Sequence, residues 1–204
     1  MKKVIVIGAG ASGIVASIYA KKNGNEVVLI EKNEICGKKI LATGNGRCNF
    51  WNEDQSLRHY RGSNIEKIEE ILNAKNKEEA LNFFKSIGIE PKIKNGYYYP
   101  YSNQAVSIQR ALILEAKKQN VKIFTNTEVI NVTKKEDKFE VILKDQNTVT
   151  SDKIIIATGS RCAPKTGSDG LGYEICKNFK HTINKPLPAL VQLKANEKYL
   201  KEWE

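Results

Sequence analysis

The sequence has few of the residues that bind metals, and it lacks long apolar runs. Its 204 residues include only four cysteines and two histidines. Cys36, Cys48, Cys162 and Cys176 form no C-x-x-C pair, so the spacing predicts no metal site and favours free thiols in a reducing cytoplasm. No run of about 18 apolar residues is present, which predicts no membrane span. The first predicted strand begins at Lys3, which leaves no room for a signal peptide and favours a cytoplasmic location.

The charge is mainly of one sign. Lysine and arginine number 33 against 23 acidic residues, which gives a net charge of +10. Many lysines lie in amphipathic helical segments, and these include Lys67, Lys75, Lys77, Lys85, Lys117 and Lys118. Such a pattern is typical of solvated helix faces, whereas a nucleic-acid groove combines a basic stripe with aromatic residues. We therefore expect a small-molecule substrate and neither a nucleic acid nor a membrane as partner, with the oligomeric state left open.

The opening of the chain has the layout of a dinucleotide-binding βαβ unit. An apolar run leads directly into the pattern G-x-G-x-x-G at residues 8–13. Gly8 permits a tight turn after the strand, Gly10 lets a pyrophosphate approach the backbone, and Gly13 lets the helix pack close to the sheet. The helix N-terminus offers free N–H groups to phosphates. The predicted cofactor-binding residues of this unit are Gly8, Gly10, Ala11, Ser12, Gly13, Glu31 and Lys32.

Glu31 supplies the acidic residue that the pattern requires. It ends the second apolar run, about 18 positions after Gly13. A carboxylate there can accept hydrogen bonds from ribose hydroxyls and would repel a 2′-phosphate, which favours FAD or NAD over NADP. The alternative is a structural βα turn with a glutamate on the surface. The strand, helix, second strand and terminal acid occur together, and this combination favours the dinucleotide site.

A glycine-rich polar segment at residues 36–49 predicts the second half of the site. Its glycines free the backbone to approach a flat or charged group, its basic residues can neutralise phosphate, and its asparagines can bond ring or ribityl oxygens. The alternative is a flexible surface loop. The predicted cofactor-binding residues of this segment are Lys39, Thr43, Gly44, Asn45, Gly46, Arg47, Cys48 and Asn49.

The rest of the chain predicts an α/β fold. A helix beginning near Ile65 has an apolar face that reads as core, and Tyr97–Tyr99 favour a packed edge strand over a substrate wall. Strands alternate around residues 128–143, and a buried strand ends in Thr158-Gly159. This order predicts a Rossmann-like FAD-binding domain of glutathione-reductase type, with a parallel sheet, a βαβ unit and a β-meander. Asp169 lies in a turn before a helix and is expected to have a structural role there.

The blocks G-K-K-I-L-A-T-G-N-G-R-C-N, Y-Y-Y-P-Y-S and A-T-G-S-R-C-A-P-K-T-G-S-D-G-L-G-Y resemble those of the aminoacetone oxidase-like, or BaiN-like, NAD(P)/FAD-dependent oxidoreductases of bacteria. The resemblance extends to about Leu193. It implies bound FAD, with adenine near Val129 and with Thr158 and Gly159 closing over the cofactor. It also implies an FAD domain at 1–186 and the start of an inserted substrate domain at 187–204, because family members continue for about as long again.

The resemblance implies a flavin-dependent oxidoreductase acting on a small organic substrate. NAD(P)H would be the electron donor, or oxygen the acceptor. The alternatives are an incomplete FAD-binding fragment without activity and, less favoured, a tRNA-modifying flavoprotein. Cys48 is the thiol expected near the flavin, and its distance in sequence from Cys36 favours a packing role over a dithiol relay.

Overall fold

The computed structural model describes residues 1–62, 64–74, 77–162 and 164–187. Residues 188–204 lie outside the described part, and so does almost all of the predicted inserted domain. The strands are β1 (Lys3–Ile7), β2 (Glu26–Ile30), β3 (Trp51–Asn52), β4 (Pro91–Lys94), β5 (Tyr97–Pro100), β6 (Lys122–Phe124), β7 (Val129–Lys135), β8 (Lys138–Leu143), β9 (Thr148–Ser151) and β10 (Lys153–Ile156). The helices are α1 (Ala11–Lys22), α2 (Ile65–Ala74), α3 (Lys77–Ser86), α4 (Ala105–Lys118) and α5 (Leu171–Asn178).

A four-stranded parallel sheet forms the centre of the fold, with the strand order β10-β1-β2-β6. Ile5 in β1 pairs with Ile154 on one side and Val28 on the other. Strands β1 and β2 are apolar and buried along almost their whole length, because the sheet is covered on both faces. The predicted α/β fold with a parallel sheet is therefore confirmed.

Two different layers cover this sheet. Helices α1 and α4 pack on one face, where Ile14, Ile18 and Leu112 meet Val6 and Leu29 in a buried cluster. The antiparallel meander β7-β8-β9 and helix α5 pack on the other face of the sheet. They form a second cluster with the β1 and β2 residues whose side chains point to that face, such as Ile5 and Val28. The alternation of side chains along β1 and β2 thus supplies both cores. Within the described residues, no helix is long and apolar enough to cross a membrane.

Two expectations about the segment between β2 and β6 are wrong. Strand β5 is the central strand of a small antiparallel sheet with the order β3-β5-β4, so it is not an edge strand. Within β5, Tyr98 is 2% exposed but Tyr97 is 44% exposed. No described residue of α2 belongs to either buried cluster, and its Ile71 is 57% exposed, although Ile65, Ile68 and Leu72 are partly buried. Periodicity identifies an apolar face but does not reveal what covers it.

Three loops of the parallel sheet meet at its carboxyl edge. The Gly8 N–H donates to the Ile30 carbonyl at 2.8 Å, and the Ala157 N–H donates to the Ile7 carbonyl at 2.8 Å. These bonds continue the ladders of β1 with β2 and with β10 past the ends of the strands. The glycine turn therefore lies between the loops that follow β2 and β10, which is where ligands bind in open α/β sheets.

We expect Gly13→Ala to destabilise the fold by about 2 kcal/mol or more, as an overpacked contact does. A Cβ at Gly13 would lie 1.9 Å from the Gly8 carbonyl oxygen and 3.2 Å from the Ala157 Cβ, which leaves little room to move. Gly10→Ala is the matched control, because a Cβ there has no atom within 4 Å. Urea unfolding followed by circular dichroism measures both variants, and equal midpoints would contradict this account.

Candidate functional site

A cavity of about 500 Å³ opens at the carboxyl edge of the parallel sheet. Most of the predicted cofactor-binding residues line it, although they come from five separate segments. They are Gly8, Gly10, Ala11, Ser12, Glu31, Lys32, Lys39, Thr43, Cys48, Asn49, Val129, Thr158 and Gly159. The tertiary structure thus brings both predicted halves of the site together, and their contact with a cofactor stays a prediction.

The glycine turn forms one wall of the cavity. Gly8 has a φ of +97°, and a Cβ on it would lie 2.6 Å from the Ala157 carbonyl oxygen. Gly10 precedes α1, and no side chain caps this helix end. The space beside Gly10 is open, as a site for a phosphate group requires. Gly13 lies behind the turn and does not line the cavity, so its role is the close packing described above.

Glu31 is buried at the base of the cavity with 8% of its surface exposed. The Ala9 N–H donates to Oε2 at 2.8 Å, and the Asn33 N–H donates to Oε1 at 2.9 Å. The Asn33 side-chain amide also donates to Oε1, at 2.6 Å. An ionised carboxylate has about four acceptor positions, so these three bonds fix its orientation and leave about one for a ribose hydroxyl. A surface glutamate, the alternative considered from the sequence, is therefore wrong.

Asn33 is a site residue that the sequence analysis missed. Besides holding Glu31, its side chain lies 3.5 Å from the Thr166 carbonyl oxygen across the cavity. The dinucleotide-binding pattern specifies only the acidic residue that ends the second strand. From the sequence, Asn33 is therefore indistinguishable from an ordinary loop residue.

Two lysines connect opposite walls of the cavity. Lys32 Nζ lies 2.5 Å from the Asp169 carboxylate, and Lys39 Nζ donates to the Ser168 hydroxyl at 2.5 Å. Burial raises the pKa of the Asp169 carboxyl, but hydrogen bonds from Lys32 and from the Leu171 N–H outweigh burial and lower it overall. The predicted turn at Asp169 is present, since its Oδ1 accepts from the Leu171 N–H at 3.1 Å. That Ser168 and Asp169 also line the cavity was missed.

The segment 43–49 divides into a lining part and a supporting part. Thr43, Cys48 and Asn49 line the cavity, whereas the four residues between Thr43 and Cys48 do not. Those four residues, predicted from the sequence as cofactor contacts, are Gly44, Asn45, Gly46 and Arg47.

Backbone and side-chain contacts fix the supporting part of the segment. Arg47 Nε donates to the Gly44 carbonyl at 3.1 Å, and its guanidinium lies 5.0 Å from the centre of the Tyr99 ring. The Ala105 N–H donates to the Gly46 carbonyl at 2.8 Å. These bonds give the segment a defined conformation, so the alternative of a flexible surface loop is not favoured.

Apolar side chains from three helices enlarge the cavity beneath this segment. They are Val15 of α1, Phe84 of α3, and Ile108 and Leu112 of α4, and Phe50 adds a further ring. They belong to or pack against the buried cluster under the sheet, so they are core residues as well as cavity residues. Only the tertiary structure shows that one side of this core is open to the cavity.

The comparisons with known proteins agree with this architecture. The family model described as "HI0933-like protein Rossmann domain" matches residues 2–198. A 3-dehydro-bile acid delta(4,6)-reductase of Clostridium scindens is 41% identical over 97% of the chain. A ribosomal RNA dihydrouridine synthase of Escherichia coli is 31% identical, also over 97% of the chain. The chain spans about half the length of these relatives, 48% of the first and 49% of the second.

Solved structures share the fold at low sequence identity. A flavocytochrome c3 fumarate reductase has a TM-score of 0.59 and 19% identity, with 87% of this chain and 40% of that chain covered. A 3-ketosteroid-delta4-(5alpha)-dehydrogenase of Rhodococcus jostii has a TM-score of 0.56 and 16% identity, with 78% and 46% covered. At these identities the likeness concerns the fold alone. The family match covers nearly the whole chain, and the chain therefore belongs to the HI0933-like Rossmann-domain family.

Proposed function

We propose that this chain binds FAD and forms part of a flavin-dependent oxidoreductase that reduces a carbon–carbon double bond conjugated to a carbonyl group. NAD(P)H would be the electron donor, and the protein would be cytoplasmic. The observation that carries the proposal is one cavity that joins a buried, oriented Glu31 to an open, uncapped helix N-terminus at Gly10. These are the groups that a ribose and a pyrophosphate require.

The residues of the cavity fit the parts of FAD in order. The N–H groups after Gly10 would bind the pyrophosphate, Glu31 would bind the adenosine ribose, and Val129 would lie beside the adenine. Lys39 is close enough to the cavity to exchange its bond with Ser168 for a phosphate oxygen. Glu31 would repel a 2′-phosphate, which supports FAD over NADP at this position.

FAD, when bound, supplies hydride transfer, and the protein supplies position and electrostatics. Thr43, Cys48 and Asn49 would place polar and small groups along the cofactor. The apolar side chains of Phe50 and Phe84 line the adjoining part of the cavity and would limit the access of water to the cofactor. Thr158 and Gly159 follow β10 and would cover the cofactor from the other side.

The relatives support the class of reaction. The names of the two relatives describe reduction of a conjugated system, at delta(4,6) of a 3-dehydro-bile acid in one and at uridine in ribosomal RNA in the other. A small organic substrate is the first candidate, because the bile-acid reductase is 41% identical to this chain. A uridine in RNA is the second, supported by the dihydrouridine synthase at 31% identity and by the net charge of +10.

The described cysteines do not support a dithiol relay next to the flavin. Cys36 and Cys48 are both buried and free. Burial, helped by the Glu31 charge, raises the pKa of the Cys36 thiol to about 11, and burial also raises the pKa of Cys48. Cys162 is exposed, and hydrogen bonding with Ser160 together with the Lys39 charge lowers the pKa of its thiol. The thiolate is the reactive form, so the buried thiols are inert at neutral pH.

We expect Cys162 to react first with a thiol reagent such as dithionitrobenzoate. The rate of reaction at Cys162 should rise with pH and then reach a plateau. That plateau should begin at a lower pH than for an ordinary thiol, because the pKa of the Cys162 thiol is lowered. Cys162→Ser should remove the fast phase, and Cys48→Ser, the control, should leave it unchanged. A fast phase that persists in Cys162→Ser would contradict this assignment.

Gly10→Val should prevent FAD binding and leave the fold intact. The added side chain would occupy the space where a pyrophosphate approaches the backbone, and that space has no protein atom within 4 Å of a Cβ. Titration of the purified chain with FAD, followed by flavin fluorescence, measures the affinity. Circular dichroism before and after heating provides the control for folding. A variant that binds FAD like the original chain would contradict the placement of the pyrophosphate.

The reaction class is tested by anaerobic reduction and reoxidation of the FAD-loaded chain. We expect NADH or NADPH to bleach the flavin absorbance, and a 3-oxo-Δ4 steroid to restore it. An oligouridine in place of the steroid tests the second candidate substrate. Absence of FAD binding would refute the cofactor. Bound flavin that neither compound reoxidises in a protein of the relatives' full length would refute the reaction class alone.

A further inference from the structure

The small sheet β3-β5-β4 has two chemically different faces. In antiparallel pairs, residues directly opposite each other point to the same side. Lys92 pairs with Tyr99 and Lys94 pairs with Tyr97, so these four side chains share one face, which we term the tyrosine–lysine face. The other face carries Tyr98, which is buried and donates from its hydroxyl to Glu53 at 2.8 Å.

The tyrosine–lysine face is open and positively charged. Tyr97, Lys92 and Lys94 are exposed, and Tyr99 is partly exposed. Strands β4 and β5 contain no acidic residue. Neither lysine of this face forms an ion pair with any residue in the described ranges. Its cations and its exposed ring are therefore available to a ligand.

The nearby acids are mostly engaged elsewhere. Glu53 bonds Lys77 Nζ at 3.1 Å as well as Tyr98, and Asp54 pairs with Arg58. Glu90, just before β4, is exposed. The electrostatic character of the face is thus set by its two lysines and by the adjoining Arg47.

Arg47 connects this face to the segment that lines the cavity. Its guanidinium stacks over the Tyr99 ring at 5.0 Å from the ring centre. A Cβ at Gly44 would lie 3.4 Å from Tyr99 Cε1, so the ring lies beside the segment 43–49. Because Thr43, Cys48 and Asn49 line the cavity, the tyrosine–lysine face adjoins the candidate cofactor site while lying outside it.

We propose that the tyrosine–lysine face binds single-stranded RNA. Bases would stack on the Tyr97 ring and on the Arg47 guanidinium, and the two lysines would contact phosphates, as in sheet-based readers of single strands. Strands of four residues span about 13 Å, which accommodates only two or three nucleotides. The choice of RNA over DNA rests on the proposed function, in which a uridine in RNA is the second candidate substrate. The binding of a single strand rests on the exposed ring and on the lysines of this face, which are unpaired within the described part of the chain.

The proposal departs from the expectation of no nucleic-acid partner, which was based on lysines in helices. In the sequence, Lys92 and Lys94 are separated from the tyrosines by a turn, and Tyr98 interrupts the exposed pair of rings. Alternation of side chains along β5 places Tyr98 on the other face. Pairing with β4 sets each lysine opposite a tyrosine. The combination of basic and aromatic residues typical of single-strand binding thus exists only in the folded chain.

The test is fluorescence anisotropy of a labelled twelve-nucleotide oligouridine titrated with the full chain, without FAD. Tyr97→Ala should weaken binding about tenfold through loss of stacking, and Tyr97→Phe should bind like the original chain. Lys92→Ala with Lys94→Ala should reduce the slope of log K against log salt by about 1.4. Lys117→Ala with Lys118→Ala removes the same charge from α4 and should leave the slope nearly unchanged.

Three outcomes would overturn the proposal. An equal reduction of the salt slope in the two double-lysine variants would mean that net charge alone attracts the oligonucleotide. A Tyr97→Ala variant that is folded by circular dichroism and binds like the original chain would exclude stacking at this face. Equal affinity for an oligodeoxyuridine would refute the assignment to RNA. Since FAD is absent from the titration, none of these results depends on the proposed flavin chemistry.

Discussion

The contact between the glycine turn and the first turn of α1 determines how the neighbouring elements are arranged. A Cβ at Gly13 would overlap the Gly8 carbonyl oxygen, and a Cβ at Gly8 would overlap the Ala157 carbonyl oxygen. Three pieces of backbone therefore meet without side chains between them. This close approach holds α1 against the sheet, aims its N-terminus along the carboxyl edge, and places β10 beside β1. The cavity exists because these elements meet there and Gly10, between the two glycines, leaves its side open.

Hydrogen bonds and an ion pair hold the polar side chains of the cavity in place. Glu31 is an acid at the base of a largely apolar pocket, and its three N–H donors hold it in place. A buried carboxylate without donors would cost more than a bonded one, so Ala9 and Asn33 are needed for the acid to occupy this position. Lys32 donates a hydrogen bond to Asp169 on the opposite wall, and Lys39 donates one to Ser168. The two walls are thus joined through groups that can also bind a phosphate or a ribose.

The two relatives are named for different substrates, a bile acid and ribosomal RNA, although both match nearly the whole of this chain. A shared fold therefore does not by itself identify a substrate. The inserted segment between β2 and β6 carries the small sheet, whose exposed face adjoins the cavity through Arg47 and Tyr99. This face therefore lies beside the candidate cofactor site without lining it.

The sequence predicts the βαβ unit, the acid at Glu31 and the meander that follows, because each depends on local periodicity or on a turn that glycine alone permits. It also placed Cys48 correctly as a packing residue, since no second thiol is close in sequence. It misjudged β5 and the apolar face of α2, and it missed Asn33, Ser168 and the apolar wall of the cavity. Those features depend on which distant element lies opposite a residue. Long-range packing sets the strand order, the side of a sheet that stays open and the residues that face one another across a cavity. Local sequence patterns do not show which distant element packs against a given residue.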